Sequence, residues 1–301
     1  MIFSDPRTDL AFKKLFGDIA HKNILMSFLN AVLNRSEGEK IVDVTINDPH
    51  NLPDTAGSKF SIVDVRCTDQ NNHQYIVEMQ VSTQKDYGVR AQYYSSYALS
   101  RQLVKGDDYE RLVPVIFVGV LDFTLFKDDD AYLSHHHIAN AKTQHCSLHH
   151  LEFHFIELSK FNKTEEELET VVDQWTYLLK NAAQLDEVPA QIKTPELKDA
   201  FDLLEQGTWS KAELEKHERE LDAIRVERSV LRTAREEGVE EGFEKGREEG
   251  REEGMEKGRL EEKLSTAQKM LGRFDVNEIA EFTGLTVEQI EELKKNKTLK
   301  R

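Results

Sequence analysis

Two apolar runs, Phe60–Cys67 and Tyr75–Val81, flank a short polar stretch, and each carries one carboxylate in its interior, Asp64 and Glu78. A charge inside an apolar strand needs a partner. Strand side chains alternate between faces, so Glu78 and Gln80 point the same way. A hairpin centred on Asn71 pairs Arg66 with Ile76, Asp64 with Glu78 and Ile62 with Gln80. Directly paired strand positions bring Cβ atoms to about 5 Å, and two carboxylates at that spacing repel unless something positive lies between them. A divalent cation meets that requirement. The residues alone leave two alternatives open: one or both acids on a solvated sheet face, or a different register.

The surrounding pattern predicts an α/β core with a mixed sheet. From Thr8 to Asn34, apolar residues recur at helical spacing, with a break expected at Gly17–Asp18. Ile41 to Ile46 alternates as a strand, and a loop with Pro49 and Pro53 leads into the Asp64 run. Tyr87 to Val104 reads as a helix. Leu112 to Val120 is a near-continuous apolar run, as a central strand buried on both faces requires. Leu151 to Leu158 alternates again and closes the sheet, with a loop region before it. Beyond Lys160 the chain turns helical, over Glu165–Leu185, Pro195–Gln206 and Trp209–Glu237.

The expected organisation is therefore a core over residues 1–160, a helical extension over 161–237, a repetitive segment over 238–262 and a small helical hairpin over 263–301. In the repetitive segment Gly238, Gly242, Gly246, Gly250, Gly254 and Gly258 fall every fourth residue, spaced mostly by Glu, Lys and Arg. Each glycine costs a helix about 1 kcal/mol relative to alanine. Either a helix partner packed against the glycine stripe offsets that cost, or the segment is a charged linker. The last segment has helix-turn-helix offsets at Ala280, Gly284 and Ile290, and Thr286 with Gln289 forms a capping box. Its second helix carries Glu288, Glu291 and Glu292, which would face phosphates, so a hairpin packed on itself or on a partner is the better reading.

Composition narrows the function classes. The chain has 301 residues, two cysteines and a net charge of −16, of which −5 lies in residues 1–160 and −11 beyond. Two cysteines are too few for a disulfide scaffold, and no apolar stretch reaches membrane-spanning length, so a soluble cytoplasmic protein is expected, with no membrane partner. An acidic protein has no long-range attraction to nucleic acid, which argues against a passive DNA binder and only weakly against a nuclease. His135, His136, His137, His145, Cys146, His149, His150 and His154 lack zinc-ribbon and His-Glu-x-x-His spacing, and read as a solvated loop that titrates between pH 5 and 8. Phosphate-loop, nucleophile-elbow and protein-kinase motifs are absent from the sequence.

Taken in order, several residues carry a family likeness. They are Asp9, Phe12, Lys13, Leu15, Phe16 and Gly17; then Asp64; then Glu78-Met79-Gln80; then Arg90 with Tyr93 and Tyr94. The set continues with the apolar strand after Pro114, Ile156–Phe161, the glycine repeat and Thr283-Gly284-Leu285. In these the chain resembles the recombination-promoting nucleases, transposase-like proteins of the PD-(D/E)XK nuclease superfamily. The resemblance implies a restriction-endonuclease-like core and metal-dependent hydrolysis of DNA phosphodiesters, linked to recombination, mobile elements or phage defence.

It assigns Asp64 to the superfamily aspartate, Glu78 to the acid of the E-x-K triplet and Gln80 to its lysine position. Mg²⁺, with Mn²⁺ or Ca²⁺ as alternatives, would be held by Asp64, Glu78 and the backbone carbonyl of Met79, acidifying a water and polarising the phosphate. Gln80 can orient a water but brings no charge to the developing anion, so slow or conditional cleavage is expected. Asp9 is a further candidate carboxylate or a helix-terminal acid. Lys13 and Arg90 are candidate phosphate contacts or ordinary surface charges. The helical tail would join chains into a homodimer or higher oligomer, placing two centres on two DNA strands. The rival reading is a non-catalytic interaction protein on a degenerate nuclease fold, acting through its acidic tail.

Overall fold

The computed structural model describes residues 1–48, 50–51 and 61–298, with the backbone alone at 50, 51, 61, 62 and 296–298. The predicted loop through Pro53 and the first residue of the Phe60 run lie outside the described residues. Two compact units follow each other along the chain, Met1–Arg228 and Ser229–Arg301.

The first unit is built on a mixed six-stranded sheet. Its helices and strands begin with α1 (Asp9–Phe16), α2 (Lys22–Leu33), β1 (Val44–Asn47), β2 (His50–Asn51), β3 (Ser61–Ile62), β4 (Val65–Asp69) and β5 (Gln74–Gln80). They continue with α3 (Tyr87–Ser100), β6 (Val115–Leu121), β7 (Leu133–Ala139), β8 (Cys146–Glu157), α4 (Val171–Asn181), α5 (Pro195–Leu204) and the start of α6 (Lys211–Met270). Sheet order is β1-β4-β5-β6-β8-β7, and among the described residues β2 pairs with β3 in a separate two-stranded sheet. β5, β6 and β8 are mutually parallel, while the flanking pairs are antiparallel.

The sheet is mixed because its connections differ in length. The short turn Asp69–His73 returns β5 antiparallel to β4, its amides bonded to the Asp69 carboxylate. Between β5 and β6 the helix α3 provides the crossover that parallel pairing requires. Every residue of β6 is buried, which explains its unbroken apolar sequence. One face of the sheet packs against α1, α2, α4 and α5 through Phe16, Phe28, Trp175 and Phe201; the other packs against α3 through Tyr87, Phe117 and Phe155. Gly17 ends α1 and Asp18 opens the next turn, as the sequence predicts.

Two expectations are corrected. β7 is a strand where a loop was expected; its polar His135–His137 conceal the alternation in a sheet-edge strand. Most of the predicted His-rich loop is therefore two paired strands, with only His145 in the turn between them.

The second unit contains the remainder of α6, then α7 (Val276–Thr283) and α8 (Val287–Thr298). Ala267, Ile279, Leu285 and Ile290 form its small core. Asp275 and Glu278 cap α7 reciprocally, Gly284 ends it in the left-handed conformation, and Thr286 and Gln289 exchange the bonds of a second capping box. The six repeat glycines are helical, and a Cβ at any of them would meet only open space. No described helix is long and apolar enough to cross a membrane.

Candidate active site

The β4–β5 ladder has the predicted register from Val65–Val77 to Thr68–Gln74. It stops short of the acids. Asp64 is not a ladder partner of Glu78, because a bend at Asp64 separates β3 from β4 and the predicted Ile62–Gln80 pair does not form. The bend turns the Asp64 carboxylate onto the backbone, where Oδ2 accepts a 2.7 Å bond from the Met79 N–H. A partly buried carboxylate thereby gains a donor that a straight strand would have given to a carbonyl. Asp64 is thereby tied to the residue that follows Glu78 on β5.

Glu78 is buried, and its Oε2 accepts a 3.3 Å hydrogen bond from the Tyr87 hydroxyl. That approach depends on Gly119, the partner of Glu78 on β6. A Cβ there would lie 2.9 Å from the Phe155 ring and 3.1 Å from the Tyr87 oxygen. We therefore expect Gly119→Ala to lower stability by about 1–3 kcal/mol, the usual range for overpacking, and to displace Tyr87 from Glu78. An unchanged urea midpoint would exclude this packing role.

Burial, with a neighbouring carboxylate charge in each case, raises the proton affinity of both acids. Burial pushes Asp64 up to about 6; the charge of Asp9 adds to this, while the Met79 N–H, Lys13 and Arg90 oppose it. Burial, then the Asp64 charge, push Glu78 up to about 7 against Arg90 and the Tyr87 hydroxyl. Two carboxylates in this condition favour a proton or a dication between them. Their donor chemistry fits a hard divalent cation such as Mg²⁺.

The site opens through a cleft of about 250 Å³ whose lining includes Asp9, Asp64, Gln80 and Ser82, with Glu220 and Glu227 on the facing helix. It lies at the carboxyl end of β5, where open α/β sheets place ligands. Gln80 is partly exposed, its amide nitrogen 3.4 Å from the Ser82 carbonyl. Asp9 occupies the first turn of α1, but the cap is Thr8; Asp9 pairs with Lys13 at 2.7 Å. Arg90 is held by Gln84 and the Tyr94 hydroxyl and packs over the Tyr87 and Tyr94 rings. A cavity of about 820 Å³ beside α2 is lined by none of the predicted site residues.

Four residues escape a reading of the sequence. Arg7 is clamped by Asp5 at 2.7 Å and Asp122 at 3.0 Å, tying the chain before α1 to the end of β6. Tyr87 reads as a helix-start aromatic, and its bond to Glu78 depends on tertiary packing. Glu220 and Glu227 read as tail residues. The first turns of α6 are fixed to the core because the Asp5 amide donates to His217 Nε2 and the Leu10 amide to Glu220. No local signal announces a wall contributed from that far along the chain.

The family model for the PD-(D/E)XK nuclease family transposases matches residues 6–234. No curated protein and no solved structure matches the chain.

Proposed function

From the premise that this chain belongs to the PD-(D/E)XK nuclease family transposases, we propose that it is a metal-dependent DNA endonuclease acting in recombination between mobile elements and host sequence or in phage defence. The observation that carries this reading is the carboxylate pair, with Asp64 bonded to the amide next to Glu78 and both acids raised above their usual range. Asp64 and Glu78, with the Met79 carbonyl, are the residues that would hold the cation. Bound there, Mg²⁺ or Mn²⁺ supplies a Lewis acid and an acidified water.

The protein's own groups set the geometry. Tyr87 orients Glu78, the Met79 N–H fixes Asp64, and Gln80 positions a water by accepting or donating a hydrogen bond. Lys13 and Arg90 supply positive charge beside the acids, where a phosphate would lie. Because Gln80 is uncharged, less anion stabilisation is available than a lysine would give, and turnover is slow. Supercoiled-plasmid cleavage with Mg²⁺, Mn²⁺ or EDTA tests the reading. Metal-dependent nicking or linearisation supports it, whereas intact plasmid under every condition favours the non-catalytic interaction protein.

The helical tail is the proposed self-association element. Its support is a helix with exposed Val239, Phe243, Met255 and Leu260 and a row of unpacked glycines. Truncation after Arg235 is expected to reduce the number of chains per particle measured by light scattering, and alanine at Gly242, Gly246 and Gly250 to do the same despite raising helix propensity by about 1 kcal/mol each. A number of chains per particle unchanged by truncation would remove self-association from the account.

A further inference from the structure

A second set of donor side chains lies on the opposite face of the sheet. In the β5–β6–β8 registers Glu78, Gly119 and Phe155 form one row, facing α3, while Val77, Val118 and His154 form the next, on the other face. Glu152 precedes His154 by two strand positions and so shares its face. His135 of β7 is directly opposite His154. Three donors from two adjacent strands therefore converge beside the sheet edge. One donor atom from each of His135, Glu152 and His154 lies within 4.8 Å of the others.

These groups do not satisfy one another. His154 Nε2 is 3.8 Å and His135 Nε2 4.0 Å from Glu152 Oε2. Both distances exceed hydrogen-bond length. His154 is 4% exposed, yet neither of its ring nitrogens has a hydrogen-bond partner. A buried imidazole left in that state loses the energy of two hydrogen bonds with water, so an unmet ligand requirement is written into the site. The donors open into a cleft of about 320 Å³, also lined by His149 and by Arg35 and Glu39, whose opposite charges offset each other.

We propose that His135, Glu152 and His154 bind a divalent transition metal of the zinc and cobalt(II) class, at a site separate from the Asp64–Glu78 pair. Two imidazoles and one carboxylate suit such ions and disfavour Mg²⁺, which takes oxygen donors. Ligand bonds of about 2.1 Å place tetrahedral donor atoms about 3.4 Å apart, so the two contacts to Glu152, at 3.8 and 4.0 Å, close by about half an ångström. The His135 and His154 rings are stacked at 4.2 Å with an interplanar angle of 11°, so their lone pairs run side by side. Half-exposed His135 supplies the rotation that makes them converge, while buried His154 and partly buried Glu152 stay in place on β8. A metal held this way cross-links the edge strand β7 to β8.

Cobalt(II) titration of the full chain after EDTA treatment and dialysis tests the site. The expected result is one equivalent bound with visible d–d absorption, displaced by Zn²⁺ but not by excess Mg²⁺, and retained in Asp64→Asn. Glu152→Gln and the edge-strand variant His135→Ala, each checked for native circular dichroism, should weaken binding by more than the roughly 10–100-fold that follows loss of an outer partner. An absent stoichiometric band, a band unaffected by both variants, or a band lost in Asp64→Asn overturns the proposal. Because that variant silences the other centre, the outcome is independent of whether the chain cleaves DNA.

Discussion

Asp64→Asn should lower metal-dependent plasmid cleavage by about three orders of magnitude or more, with Glu78→Gln close behind. The magnitude follows from what each acid is asked to do. Removing a single fixed group that stabilises developing charge costs a rate of about 10²–10³, and removing a carboxylate also removes a ligand for the cation. The asparagine amide still offers one oxygen to the Met79 N–H, so the bend at Asp64 survives and the loss is chemical rather than structural. Gln80→Ala should reduce the rate less, by roughly 10–100-fold, because an uncharged water-positioning group contributes less than a ligand. Gel-resolved rates on supercoiled DNA, with circular dichroism as a folding control, decide the order. Equal activity of Asp64→Asn and the unaltered chain would place the chemistry elsewhere.

The second large effect is an inversion of stability with pH on adding metal. In the metal-free chain Asp64 and Glu78 hold their protons up to about 6 and about 7, whereas the unfolded chain releases them near 4. Between those limits the native state binds more protons than the unfolded state, so this contribution to stability is present below pH 4 and is lost as pH rises to 8. Glu78→Gln should therefore raise metal-free stability at pH 8 by roughly 2–3 kcal/mol and change little at pH 4. Mg²⁺ competes with the same protons, so its stabilisation should be larger at pH 8 than at pH 5.5 and absent in Glu78→Gln. Urea titrations at the two pH values give the answer. A destabilised Glu78→Gln at pH 8 would show that the carboxylate is satisfied without a cation.

The legible parts of this molecule are those whose constraints are local. The hairpin register follows from apolar alternation and a turn centred on Asn71, and β6 follows from an unbroken apolar run. The capping box at Thr286 is written in four residues. Where a side chain answers to something distant, the sequence is silent. The bend at Asp64 exists because a partly buried carboxylate takes an amide fifteen residues away. β7 was hidden because its consecutive His135, His136 and His137 break the apolar alternation that marks a strand. The His135–Glu152–His154 cluster was illegible as well, since only cross-strand pairing brings its members together.

The cleft is assembled from opposite ends of its unit, and this has a consequence for the protein as it is made. Asp64 and Met79 are fifteen positions apart, so the acidic pair can form as soon as the first hairpin leaves the ribosome. Glu220 and Glu227, which face it, follow about 150 residues later. At roughly 5–20 residues per second, the nascent chain carries the acids without their wall for about 10 s or more. During that interval the pair is open to solvent on the side that α6 later covers. A ribosome stalled before Lys211 would hold the chain in that state, with Asp64 already bonded to Met79 and its cleft not yet closed.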